Sequence, residues 1–171
     1  MPITLQMTAA TLIEKAANDL IGLAKGTPED KAQWQPTPEA RTVINQLVEC
    51  CLANQKWATT LQTRVHAGLP EGIADNAYTT WTTVETVIPH LTESSQLLAN
   101  AIRNLSDTEL PLMIPFPWKL EAGRTVAECC FHPYWNMVYH HGQIAYIQTM
   151  YGDQEEHCDA GPFGEDSDCI T

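Results

Sequence analysis

VAECCFHPYWNMVYHHGQIAYIQTMY, residues Val126–Tyr151, is the stretch that decides the fold class. Apolar or small residues recur in it every three or four positions, the spacing that places one continuous stripe along a helix. These residues are Val126, Cys129, Cys130, Pro133, Met137, Ile144, Ile147 and Tyr151. His140 falls inside the stripe. An imidazole on a buried face is desolvated, so His140 needs a hydrogen-bond partner or a metal inside the fold.

The neighbours of His140 on this helix are polar or carry sulfur. At roughly 100° per residue, Asn136 and Cys129 lie within about 40° of His140, and Gln143 lies at the same edge. Any further partner of the imidazole has to come from another part of the chain.

The length and charge of the chain exclude several classes of protein. Its 171 residues fit one domain with a single core. The formal net charge is -12, from 9 basic and 21 acidic residues, and no Lys/Arg cluster occurs, so we expect no nucleic-acid partner. The chain also lacks a basic leader and a run of about 20 apolar residues. We therefore expect a soluble, cytoplasmic protein that does not contact membranes.

Two segments in the first half show helical periodicity. The first covers about residues 8–25, with Thr8 as the expected N-cap. The second begins between Glu39 and Thr42 and runs to about His66. Together with the helix around His140, they indicate a mainly helical protein.

The second half adds one helix and two long connections. A helix is predicted over about residues 84–105, where Pro89 is compatible with it only in the first turn. Residues 69–80 are turn-rich and are expected to carry the chain across the bundle. Residues 106–123 contain three prolines, which favours an extended segment or a small hairpin. Four long amphipathic helices with long crossover connections predict an all-α four-helix bundle.

The composition changes after Gly152. We expect residues 1–152 to form the bundle and residues 153–171, with seven acidic residues and no basic one, to form a flexible acidic tail. His157, Cys158 and Cys169 offer donors for a soft metal, but a structureless tail is the favoured interpretation.

Three stretches resemble the DinB/YfiT-like superfamily of small bacterial four-helix bundles. Residues 27–36 resemble the connection between that family's first two helices, and residues 37–49 resemble the entry to its second helix. The most specific stretch is 136–147, NMVYHHGQIAYI, which resembles the fourth-helix motif in which one residue separates a histidine from Gly-Gln. The similarity spans most of the chain, from the first helix to Gly152.

The resemblance implies a metal site. Many members of that family bind zinc or nickel through one histidine on helix two and two histidines, four residues apart, on helix four. These positions correspond here to Glu49, Asn136 and His140. A carboxylate is an ordinary ligand for these metals, whereas the oxygen of a neutral amide is a weak ligand. The implied cofactor is a divalent transition metal (zinc, nickel or manganese) or none at all. Members of that family commonly pair through faces of the bundle, which implies a homodimer.

The residues themselves also allow a site without metal. His140 could be a core histidine that is hydrogen-bonded to Asn136, Glu49 or Tyr146. Glu49 lies well away from the centre of its helix stripe, so it could be an exposed carboxylate paired with Lys56.

The other histidines have simpler interpretations. His132 and His141 lie on the shoulders of the stripe, and we expect them to be structural or exposed, although they could assist a metal held by His140. His66 and His90 lie near helix ends and are expected to be exposed.

Four of the six cysteines form two vicinal pairs within helical patterns, Cys50-Cys51 and Cys129-Cys130. We expect them to be reduced thiols that pack in the core. A redox or metal-binding role is the alternative.

Two hypotheses of function remain. The resemblance implies a metal-dependent thiol-transferase or hydrolase that acts on small molecules, with Glu49 and His140 holding the ion. The alternative is a non-catalytic bundle that binds a ligand or a partner, in which Glu49, Asn136 and His140 form a satisfied hydrogen-bond cluster. Three strong donors would favour the enzyme, and the sequence offers at most two.

Overall fold

Four long helices form the protein. The structure, a computed structural model, describes residues 3–66, 68–116 and 119–158, with the backbone alone for 119–122. In chain order the elements are α1 (Leu5–Gly26), α2 (Glu29–Ala32), α3 (Val43–Thr63), α4 (Ile73–Thr80), α5 (Val84–Arg103), β1 (Met113–Phe116), β2 (Lys119–Thr125) and α6 (Val126–Met150). The predicted all-α four-helix bundle is confirmed. None of the helices in these ranges is long and apolar enough to cross a membrane.

The four long helices pack in a closed square. Helix α1 packs on α5 and α6, and α3 packs on the same two helices. The connections from α1 to α3 and from α5 to α6 therefore run between opposite corners. By contrast α3 and α5, which are joined through α4, are neighbours. The prediction that residues 69–80 cross the bundle was wrong, because the length of a connection does not reveal which corners it joins.

The core consists of the inward faces of these four helices. On α6 the buried residues are Val126, Cys129, Cys130, Pro133, Met137, His140, Ile144, Ile147 and Gln148. This set contains every member of the predicted stripe except Tyr151, which is half-buried. The periodicity of the sequence therefore identifies the buried face of α6, including the place of His140 on it.

The prolines and the hairpin follow simple steric rules. The 106–123 segment forms the predicted small hairpin, in which β1 pairs antiparallel with β2. Pro89 lies in the second turn of α5, so the expectation that the helix tolerates this proline only in its first turn was wrong. Proline leaves the carbonyl four residues earlier, on Glu85, without its helical partner. Pro89 and Glu85 are both exposed, so water can satisfy that carbonyl.

A threonine caps the N-terminus of every long helix. Its hydroxyl accepts a hydrogen bond from the backbone N–H three residues later, at 3.0 to 3.2 Å, for Thr4, Thr42, Thr83 and Thr125. Thr8, the predicted N-cap of α1, instead lies inside the helix and donates to the carbonyl of Thr4. Helix α1 begins one turn earlier than predicted because Thr4 provides the same capping chemistry.

Removing the cap at the start of α6 should destabilise the bundle measurably. Thr125 accepts from the N–H of Glu128, and the Glu128 carboxylate accepts from the N–H of Thr125 in return. We expect Thr125→Ala to lower the free energy of unfolding by about 1 kcal/mol in urea titrations, because orphan N–H groups lose their acceptor. The control is Thr149→Ala, which removes an exposed hydroxyl bonded within its own helix and should change stability by less than about 0.5 kcal/mol. Equal effects of the two substitutions would contradict the capping role.

Candidate metal centre

The imidazole of His140 lies between α3 and α6 and is 1 % exposed. Its Nδ1 lies 3.1 Å from Oε1 of Gln46 on α3 and 2.9 Å from Oε1 of Gln143 on α6. Both partners are amide oxygens and can only accept, so Nδ1 carries the hydrogen and donates it to both. In the neutral ring this leaves Nε2 with an unprotonated lone pair.

The Nε2 lone pair faces a carboxylate. Oε1 of Glu49 lies 3.4 Å from Nε2 of His140, and the other carboxylate oxygen contacts the guanidinium of Arg41. Two acceptors that face each other repel unless a proton or a cation lies between them. Two donors bound to one tetrahedral zinc, each about 2.0–2.2 Å from the ion, are about 3.4 Å apart. The separation of Nε2 and Oε1 therefore matches one edge of a tetrahedral metal site.

Protonation of His140 would also relieve this repulsion, but burial opposes it. Burial lowers the pKa of His140 below its ordinary value, the hydrogen bond with Gln143 raises it in part, and the positive charge of Arg41 lowers it further. The neutral ring is therefore favoured at neutral pH, and its Nε2 is available to a metal.

A third polar group lies one turn before His140 on α6. Oδ1 of Asn136 is buried and has no hydrogen-bond partner among the described residues. The same holds for Nε2 of His140. Both atoms carry lone pairs that a hydrogen-bond donor or a metal ion would satisfy, and they lie one turn apart on α6.

The donor set is nevertheless small. Among the residues that the structure describes, no group of three His, Cys, Asp or Glu side chains could hold a metal ion. A metal here would rely on Glu49, His140 and the amide oxygen of Asn136, with its other positions open. Such a set fits a divalent ion that is bound weakly and remains accessible to other ligands.

The comparison with protein families identifies the superfamily of the chain. Residues 12–144 match the family model of the DinB superfamily, which is well over half of the chain. The protein belongs to the DinB superfamily. No curated protein matches the chain.

In this DinB-superfamily bundle the predicted site residues lie as follows. Glu49 and His140 come together, and Asn136 lies on the same side of α6 as His140. The alternative interpretation of Glu49 as an exposed carboxylate paired with Lys56 was wrong, because its side chain is 30 % exposed and contacts Arg41. Asn136 and Tyr146, predicted as possible hydrogen-bond partners of a core His140, were wrong: Oδ1 of Asn136 has no partner among the described residues and Tyr146 is exposed. Gln46 and Gln143 bond Nδ1 instead.

The site contains two residues that sequence reasoning missed. Gln46 precedes Glu49 by three residues, so both side chains project from one side of α3 towards α6. That spacing is the signal that could have identified Gln46. Arg41 lies outside α3, just before the N-cap Thr42, and its long side chain reaches back to Glu49. Helical periodicity does not apply to Arg41, so no pattern could have identified it.

The remaining histidines make contacts elsewhere. The rings of His66 and His132 pack on Trp57, with centroid separations of 5.0 and 4.7 Å. His66 is buried, contrary to the prediction that it is exposed, because α3 ends at Thr63 and the chain then turns back onto Trp57. His90 stacks on Trp81.

The two vicinal cysteine pairs pack in the core as buried thiols. Burial raises the pKa of Cys51 to about 12, of Cys129 to about 11 and of Cys130 to about 12, and it raises that of Cys50 as well. These thiols therefore stay protonated at neutral pH, and thiolate is the form that reacts and binds metals.

The buried His140 should make stability depend on pH. Its pKa in the folded protein lies below the ordinary 6.5, so below about pH 6.5 the unfolded chain binds a proton that the folded protein does not. Stability should therefore fall as the pH drops from about 6.5 towards the folded pKa, by at most about 1.4 kcal/mol per pH unit for this group.

We expect His140→Gln to reduce the slope of unfolding free energy against pH between pH 7 and pH 5.5. An NMR titration of the His140 ring in metal-free protein should give a midpoint below 6.5. A midpoint at or above that value would contradict the assignment of a neutral ring.

Proposed function

We propose that this protein uses a divalent transition metal, held by His140 and Glu49 with help from Asn136, to act on small molecules as a thiol-transferase or hydrolase. The observation that carries the proposal is the pair of acceptors, Nε2 of His140 and Oε1 of Glu49, that face each other 3.4 Å apart. A cation between them would remove their repulsion and satisfy the buried Nε2.

The surrounding residues support this role by fixing the donors. Gln46 and Gln143 accept the Nδ1 hydrogen and so hold the tautomer that presents Nε2, as the outer partners of metal-bound histidines generally do. Arg41 contacts the second oxygen of Glu49 and fixes the orientation of the carboxylate. The side chain of Arg41 is half-exposed and that of Glu49 is partly exposed, so this edge of the site lies near the surface of the bundle.

The chemistry follows from the open positions. A divalent ion in this site would lower the pKa of a thiol or a water bound to it, which makes either one a nucleophile at neutral pH. The four core cysteines remain protonated, so they do not supply the thiol of a transfer reaction, and a small-molecule thiol is the substrate that we propose.

One observation favours the non-catalytic alternative. The described residues offer fewer than three strong donors, and Arg41 already provides a positive charge to Glu49. A bundle that keeps these residues as a polar cluster, and binds a ligand or partner without metal, would show the same contacts. Metal titration separates the two hypotheses.

The protein should bind about one equivalent of metal per chain at this site. We expect calorimetric titration of metal-free protein with zinc, nickel or manganese to show one site that His140→Ala and Glu49→Gln abolish. The matched control is His132→Ala, which removes another α6 histidine whose ring packs on Trp57 and should leave the site intact.

Conjugation of a low-molecular-weight thiol to a model electrophile should then require the metal and disappear in His140→Ala. Metal binding that survives both site substitutions would rule out this site, and turnover without metal would rule out the mechanism.

Strengthening the third donor should increase affinity. Asn136 provides a weak amide oxygen one turn before His140, and an imidazole at that position would add a strong donor on the same side of α6. We expect Asn136→His to tighten zinc binding by at least about tenfold, whereas Asn136→Ala should weaken it. Unchanged affinity in both variants would show that position 136 does not face the ion.

A further inference from the structure

The chain after α6 lies against α1. An added Cβ at Gly22 would overlap the backbone carbonyl of His157, and one at Gly26 would overlap the His157 ring. The two glycines are one turn apart, so together they form a shallow notch on α1 that receives His157. Nε2 of His157 also lies 2.8 Å from Oδ2 of Asp153, which connects the two ends of this short segment. We call residues 153–158 the docked segment.

The docked segment places a thiol beside a second histidine. Sγ of Cys158 lies 3.1 Å from Nε2 of His141 on α6. Both side chains are half-buried, whereas the four core thiols are at most 1 % exposed. Cys158 is therefore the cysteine of the described residues that solvent and small molecules reach.

We propose that Cys158 is a thiol-modification site that reacts with low-molecular-weight disulfides, and that His141 is the positioning residue that stabilises its thiolate. In the reaction the Cys158 thiol loses its proton to solvent, and the thiolate sulfur attacks one sulfur of the disulfide. A new S–S bond forms to Cys158, the S–S bond of the reagent breaks, and its other half leaves as a thiolate with the bonding electrons. Oxidation of Cys158 is balanced by reduction of the reagent.

The surroundings of His141 are consistent with a hydrogen-bond donor. Nε2 of His141 lies within hydrogen-bond distance of Sγ of Cys158. A neutral ring with its hydrogen on Nε2 donates to sulfur, and a hydrogen bond to the charged form lowers the pKa of a thiol. This site is separate from the Glu49/His140 site and does not depend on a metal.

The test is the rate of reaction with the aromatic disulfide DTNB, which releases a coloured thiolate. All variants carry Cys169→Ser, because Cys169 lies outside the described residues. We expect one fast-reacting thiol, which mass spectrometry assigns to Cys158 and which Cys158→Ser removes. His141→Ala should slow this phase about tenfold at pH 7 and move the midpoint of its pH profile up to the ordinary thiol value of about 8.5. His141→Gln, which retains a side-chain N–H donor, should restore part of the rate.

A second variant tests the docked geometry without changing either side chain of the pair. Gly22→Ala should push the backbone of His157 off α1 and slow the reaction about as much as His141→Ala does. Alanine is also the better helix former, so this variant should fold. The matched control is Gly68→Ala, where an added Cβ meets nothing within 4 Å and the rate should not change. A Cys158 that reacts no faster than the core thiols, or a rate that neither His141→Ala nor Gly22→Ala lowers, would overturn the proposal.

Discussion

The burial of one imidazole is the constraint on which the candidate site depends. The His140 ring lies in an apolar interior, where an unsatisfied polar group costs more than in water. Its Nδ1 hydrogen is satisfied by acceptors on two different helices, Gln46 on α3 and Gln143 on α6. These hydrogen bonds fix the register of α3 against α6 and the tautomer of the ring. The same tautomer leaves Nε2 facing Glu49 with no hydrogen to donate. The arrangement that stabilises one side of the ring therefore leaves an unprotonated acceptor on the other side, where we propose that a cation binds.

The topology of the bundle brings the necessary residues together. Helices α3 and α6 pack side by side although more than sixty residues separate them in the chain. The threonine cap at Thr42 starts α3 so that Arg41 remains outside the helix, in a position from which its side chain contacts Glu49. Glu49 therefore contacts Arg41 from before its own helix and His140 from the neighbouring helix.

Much of this fold follows from the sequence, and the reasons for the exceptions are physical. The stripe on α6, the number of long helices and the hairpin follow from periodicity and proline content. The pairs of corners that the connections join do not follow from the sequence. Amphipathic periodicity shows that a helix face is buried, but it does not show which helix packs against that face.

Glu49 illustrates the same limit. It lies off the centre of its stripe, but α3 packs on both α5 and α6, so the buried arc of α3 is wide enough to include it. The resemblance to a family placed Glu49 beside His140, and the contacts through Arg41 and Gln46 required the structure.

Two adjacent histidines on α6 have different chemical environments for a geometric reason. Successive residues on a helix point about 100° apart, so His140 faces α3 while His141 faces the side of the bundle where α1 and the docked segment lie. One ring is enclosed among amides and a carboxylate, hard donors that suit a divalent metal. The other meets a half-buried thiol. A substitution at either histidine therefore reports on its own site, provided that the helix remains folded. The backbone that joins them is a continuous, capped helix, so each side chain can be changed without moving the other.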